Sequence, residues 1–173
     1  MAEAFPGVRT AGPRDEIPLF ETLKRMWEEN ALASLDEDKV MAMIQRGTRR
    51  ELGIIGIIDG QKREIAATAG FTLDQWWYTS DWHLDEKWVF VTPEHRKSDY
   101  AKRLYQYGKW LGDQMDHMPV IFGVLSTKRT KEKLRLAQRQ LQQVGGLFLH
   151  NHVVPDAYQQ REFITPKKEL IGV

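Results

Sequence analysis

Lys87-Trp88-Val89-Phe90-Val91-Thr92-Pro93-Glu94-His95-Arg96-Lys97-Ser98-Asp99-Tyr100-Ala101-Lys102 is the stretch from which the rest of the chain is placed. The β-branched and aromatic run 87–91 predicts a buried strand. Thr92-Pro93-Glu94-His95 ends it, because proline offers no donor to a ladder and holds its predecessor extended. Beyond Ala101, the residues Leu104, Tyr105, Gly108, Leu111, Gly112 and Met115 recur at roughly helical spacing up to about His117. A strand, a basic turn and a helix start together suit a phosphate. The first helical N–H groups lack an intrahelical acceptor, the dipole is positive there, and Arg96, Lys97 and Lys102 add charge. The same residues also describe an ordinary N-capped helix after a core strand, with Ser98 or Asp99 as the cap.

Upstream, Val8–Ala11 predicts a short strand, and Gly12-Pro13-Arg14-Asp15 a helix start with Asp15 as cap. Ile17, Leu19, Phe20, Leu23, Met26 and Trp27 give that helix an apolar face to about residue 32. A second helix follows Ser34–Asp38 and ends near Gly47 and Arg49-Arg50. Leu52–Ile58 predicts a strand, Asp59-Gly60 a hairpin, and Arg63–Leu73 the returning strand, whose small residues permit close packing. Asp74 to Leu84 is aromatic-rich without a clean period. It suits a plug that packs a hairpin loop, or an aromatic substrate wall or partner patch built from Trp76, Trp77, Tyr78 and Trp82. Downstream, Val120–Leu125 predicts another buried strand, so strand, helix and strand form a crossover that makes parallel neighbours. A basic, largely solvated helix follows over 131–144, then short strands at 147–150 and near 162–164.

The chain has 173 residues, 42% of them hydrophobic and 28% charged, which is ordinary for one globular domain with a real core. A net charge of +1 supplies no global field toward nucleic acid or membrane, so anion binding must come from local clusters. Cysteine is absent, which excludes disulfides, zinc–thiolate sites and a cysteine nucleophile. No metal site is expected. The N-terminus lacks the pattern of a signal peptide, and no run is apolar enough to span a bilayer. A cytoplasmic protein with no membrane partner is the expectation. The alternation of helices and strands points to an α/β (α+β) fold, a mixed sheet flanked by helices, with one domain over 1–173, a core at about 8–150 and a tail at 151–173.

The central stretch resembles the acetyl-CoA-binding motif of the Gcn5-related N-acetyltransferase (GNAT) superfamily. There a strand is followed by Val-x-Pro and then Arg/Gln-x-x-Gly-x-Gly/Ala at a helix start. Val91, Pro93, Arg96 and Ala101 match, and Asp99 stands where the middle glycine is usual. The order of elements is similar over about residues 8–150. The resemblance implies that the strands at 87–91 and 120–125 splay apart and admit the pantetheine arm of acetyl-CoA. It implies that Phe90 and Val91 offer backbone groups to acetyl-pantetheine, with the Val91 N–H at the oxyanion. It further implies that backbone N–H groups from Arg96 through Lys97, Ser98, Asp99 and Tyr100 to Ala101, with Lys102 beside them, hold the pyrophosphate; by location alone, positions near Ser126, Lys131 and Arg135 meet the far part of CoA. The implied activity is direct transfer of acetyl to a primary amine, on a small molecule or a protein. His83, Asp85 and Glu86 are the candidate bases, since many family members carry one just before or on the central strand. Many members also carry a tyrosine on the helix after the second core strand; residues 128–146 have none.

Two departures, Asp99 and the missing tyrosine, keep an alternative open. It is a weakly active or inactive module of this fold that binds a partner through residues 76–82 or the basic helix. Nucleic acid is the least favoured partner, given the charge and the lack of a reading motif. The aromatic segment is also a reasonable homodimer contact.

Overall fold

The computed structural model describes residues 4–30, 33–126 and 128–145. A two-residue strand, β1 (Arg9–Thr10), leads into a short 3-10 turn and then α1 (Glu16–Asn30). Asp15 organises this entry: its carboxylate accepts from the Gly12 N–H at 2.9 Å and pairs with Arg9 at 2.8 Å. Helix α2 (Glu37–Thr48) is capped by Asp36, which accepts from the Lys39 N–H at 3.0 Å, with Glu37 and Asp38 in the first turn. Strands β2 (Gly53–Asp59), β3 (Ile65–Gln75) and β4 (Trp82–Val91) form an antiparallel meander. Helix α3 (Tyr100–Gln114) crosses over to β5 (Val120–Ile121), which lies parallel to β4 as the crossover predicts. Helix α4 (Thr130–Gln140) closes the described chain.

The sheet runs β1-β2-β3-β4-β5 with helices on both faces. On one side Leu19 and Leu23 of α1 and Ile44 of α2 pack onto Ile55, Ile57, Ile65 and Trp88. On the other, Leu104, Tyr107 and Leu111 of α3 pack onto Ile58, Ala67, Ala69, Phe71 and Leu84. The mixed sheet flanked by helices is therefore the observed architecture. Gly70 is small for a reason: a Cβ there would sit 2.4 Å from the Trp88 indole, which lies across β3.

Several boundaries differ from those predicted. Strand β4 starts at Trp82, not Lys87, because residues 82–86 continue the ladder opposite Phe71 to Gln75. The β2–β3 turn is not a two-residue hairpin at Asp59-Gly60. It spans residues 60–64, closed by the Gly60 N–H on the Glu64 carbonyl at 2.8 Å, with Arg63 at φ 62°. Among the described residues, strand β5 pairs only over Val120–Ile121, and Phe122 to Leu125 run on without a ladder. The strands predicted at 147–150 and near 162–164 lie outside the described residues.

One irregularity sets the phase of β4. Gly70 pairs with Trp88 and Phe71 with Glu86, so Lys87 is an extra, bulged residue. Before the bulge Leu84 faces α3, and strand alternation puts Glu86 on the same face. After it Val89 and Val91 face α3 instead.

Candidate functional site

The β4–β5 ladder contains two pairs, Leu84 with Val120 and Asp85 with Ile121. From Glu86 onward the strands part, and that edge of β4 has no strand partner among the described residues. The gap opens into a cavity of about 570 Å³ lined by Glu86 to Val91, Gly123 to Leu125, the last turn of α1, the start of α3 and one face of α4. Its walls are largely apolar, from Met26, Trp27, Trp88, Phe90, Val124 and Leu136. Ionic groups gather at the cavity's edges.

At one end stands the N-terminus of α3. Arg103 N–H donates to the Asp99 carbonyl at 3.0 Å, and Tyr100 N–H donates to Ser98 Oγ at 3.3 Å. The Ala101 and Lys102 N–H groups meet no backbone acceptor outside the helix among the described residues, as first-turn donors do not. Asp99 has φ −89°, so the position does not demand glycine; its carboxylate turns to Arg103 Nε at 3.0 Å. Arg96 forms an ion pair with Glu29 of α1, and its Nε lies 3.4 Å from the Val91 carbonyl oxygen. Lys133 Nζ reaches Asn30 Oδ1 at 2.7 Å and Ser126 Oγ at 2.8 Å, and burial holds its ammonium below the usual lysine range.

At the other end stands Glu86. Its Oε2 accepts the Gly123 N–H at 3.0 Å across the gap between the strands. Burial pushes its carboxyl up to about 7, against the pull of that hydrogen bond. Tyr105, from the second turn of α3, lines the same space. Its ring lies 5.1 Å from that of Phe122, and burial, helped by the Glu86 charge, pushes its phenol up to about 12.

The three candidate bases are thus separated. Glu86 lines the cavity. Asp85 points the other way and pairs with Lys87. His83 is buried, its ring 4.5 Å from that of Trp76, with Nδ1 lacking a partner among the described residues. Phe90, Val91, Arg96, Ser98, Asp99, Ala101 and Lys102 all line the cavity. Lys97, Tyr100, Ser126 and Lys131 do not; Tyr100 stacks on His95 at 6.0 Å, and Ser126 braces Lys133 from outside. Trp76, Trp77, Tyr78 and Trp82 lie at and beside the β3–β4 turn, away from the lining, and Trp77 is 94% exposed. Glu29 and Lys133 are wall residues that sequence reasoning passed over, and nothing local marks them. Tyr105, which the sequence places in the apolar stripe of its helix and does not offer as an obvious replacement for the missing tyrosine, is a wall residue as well. Among the described residues no cluster of His, Cys, Asp and Glu could hold a metal ion.

No family model matches the chain, and no curated protein matches it. Solved structures do. A protein from Clostridium acetobutylicum described as a predicted acetyltransferase, solved with acetyl-CoA, superposes at TM-score 0.67 with 14% identity, covering 83% of this chain and 93% of its own. An integron cassette protein from the Cole Harbour Salt Marsh mobile metagenome does so at 0.66 with 18% identity, covering 88% and 94%. An aminoglycoside acetyltransferase from an uncultured soil metagenomic sample, in complex with sisomicin, does so at 0.61 with 10% identity, covering 85% and 94%. At these identities the likeness is one of fold, and it is the GNAT fold that the motif at 87–101 implies.

Proposed function

We propose that this chain, with its GNAT fold, is an acyltransferase that moves acetyl from acetyl-CoA to a primary amine. The observation that carries the proposal is the parting of β4 from β5 at Glu86. It leaves a free strand edge between a donor-rich helix N-terminus and a part-buried carboxyl poised near neutral pH. These groups fit acetyl-CoA by chemistry. The unpaired Ala101 and Lys102 N–H groups, with Arg96 and Lys102 beside them, suit a pyrophosphate. The free edge of β4 suits the amides of an extended pantetheine arm, and the apolar walls suit its methylenes. The Asp99 carboxylate at this end is paired with Arg103, which offsets its charge.

Bound acetyl-CoA supplies an activated acyl carbon. Glu86 accepts the proton that the amine must lose, and a group near 7 is well matched to that task at neutral pH. A backbone N–H on the free edge of β4 stabilises the developing oxyanion. The acceptor amine is left open at the level of primary amine. Because one structural neighbour was solved with sisomicin, aminoglycosides enter the acceptor screen beside polyamines and lysine peptides.

Calorimetric titration with acetyl-CoA and with CoA tests the donor site first. Micromolar binding, about −8 kcal/mol, is expected. Acetylated product in the amine screen, read by mass spectrometry, completes the test. Absence of binding to both donors would refute the proposal.

A further inference from the structure

Helix α1 carries Arg25 and Glu29 one turn apart, and both reach the turn that leads into α3. Each meets a charge of opposite sign there. Arg25 pairs with Glu94 at 2.6 Å, where both side chains are exposed and neither lines the cavity. Glu29 pairs with Arg96, where both are part-buried and both line the cavity. The Glu29 carboxylate has a second cation beside it. Its Oε2 is on Arg96, and its Oε1 lies 3.9 Å from Lys133 Nζ of α4, another lining residue. One carboxylate therefore bridges two cations of the cavity wall with one oxygen toward each, as the oxygens of a bound phosphate would.

We propose that Glu29 is a built-in competitor for the diphosphate of the donor, an inference that rests on the acetyl-transfer reading above. In the free chain its carboxylate neutralises Arg96, and the diphosphate displaces it on binding. An Arg96 N–H engaged with Glu29 is not free for a phosphate oxygen. A diphosphate brought to Arg96 also lies beside the Glu29 carboxylate, and like charges in a part-buried site are weakly screened. Arg96 does not depend on Glu29 for its position. Its Nε is 3.4 Å from the Val91 carbonyl oxygen, and its guanidinium lies 6.0 Å from the centre of the Phe90 ring. Helix α1 does not depend on the inner pair either, because Arg25 and Glu94 tie it to the same turn from outside the cavity. The inner pair can thus open without undocking α1, and it re-forms behind the departing CoA.

The sign of one substitution separates a competitor from a brace. Glu29→Gln keeps the length of the side chain and removes its charge. Calorimetry on the full chain compares CoA with pantetheine, which has the arm but no phosphate. Glu29→Gln should bind CoA about five- to tenfold more tightly than wild type, the range of a modest coupling between sites. Pantetheine should gain nothing, and the gain for CoA should shrink as salt is raised. Glu28→Gln makes the same charge change at the adjacent, exposed residue outside the lining and should leave CoA binding within about twofold. If Glu29→Gln does not fold, Glu29→Asp, which holds the charge one carbon further from Arg96, must show a smaller gain of the same sign. CoA binding that is unchanged or weaker in the Glu29 variant would overturn the competition and leave the acetyl-transfer reading standing. An equal gain for pantetheine would overturn it too, because the effect would then lie in the shape of the cavity. A wild-type chain and variants that bind neither CoA nor acetyl-CoA would instead overturn the reading itself, and the inference with it.

Discussion

Replacing Glu86 by glutamine should make the protein more stable and less active at once. The Glu86 carboxyl is raised from 4.5 to about 7 in the folded chain, chiefly by burial. An acid with a raised folded pKa binds its proton more tightly folded than unfolded, so its contribution to stability declines as pH rises between the two values. Below 4.5 both states are protonated and the group is neutral to the balance. Above 7 the folded state carries a charge it solvates poorly, at a penalty of about 3 kcal/mol. Glutamine keeps an oxygen for the Gly123 N–H and removes the charge. Glu86→Gln should therefore raise the unfolding free energy by about 3 kcal/mol at pH 8 and by only about 1 kcal/mol at pH 5. Urea unfolding of both proteins at the two pH values measures this. In acetyl transfer, kcat/KM of the wild type should climb with pH through about 7, the value set by the carboxyl. The variant should lose that limb and about 10²- to 10⁴-fold in rate. A stability difference that is the same at pH 5 and pH 8 would refute the assignment of a buried, proton-holding Glu86.

Four further expectations follow from the packing and the charges. Arg96→Ala should weaken acetyl-CoA binding by about 1.5–3 kcal/mol, tenfold or more by calorimetry, since it removes a charged donor from the cavity. Gly70→Ala should destabilise by about 1–3 kcal/mol in denaturant titration, because its Cβ would meet the Trp88 indole at 2.4 Å. Leu104→Ala, at a fully buried position that seats α3 on the sheet, should cost about 2–5 kcal/mol in the same assay. Trp77→Ser, at a side chain 94% exposed, should leave unfolding within about 0.5 kcal/mol of wild type.

Much of the architecture was legible because it is written in local periodicity. The apolar faces of α1 and α3, the run of β2, the break at Pro93 and the crossover to β5 each depend on neighbours a few residues apart. The aromatic segment 74–84 was not legible as the flanks of a hairpin. Its exposed end carries Trp77 and Tyr78 in solvent, so polar and apolar residues follow no period of two. The length of β5 was hidden for a different reason. Val120 to Leu125 is apolar throughout, but among the described residues only its first two pair with a strand; Phe122 packs against Phe71 and Tyr105, and Gly123 to Leu125 line the cavity.

By itself the sequence determined the order of elements, the basic turn at the head of α3 and a short set of acids near the central strand. Those follow from side-chain chemistry and spacing, which survive any particular packing. Which acid faces the cavity was decided by tertiary structure. The bulge at Lys87 shifts the alternation of β4 by one residue, so Glu86 joins the α3 face while Asp85 turns to Lys87 and His83 goes under Trp76. The partners of the site arrive from far along the chain: Glu29 on Arg96, Lys133 on Asn30, and Tyr105 beside Glu86. Burial among such distant neighbours sets a carboxyl at about 7. No local pattern carries that value, because it depends on what the folded chain removes from water.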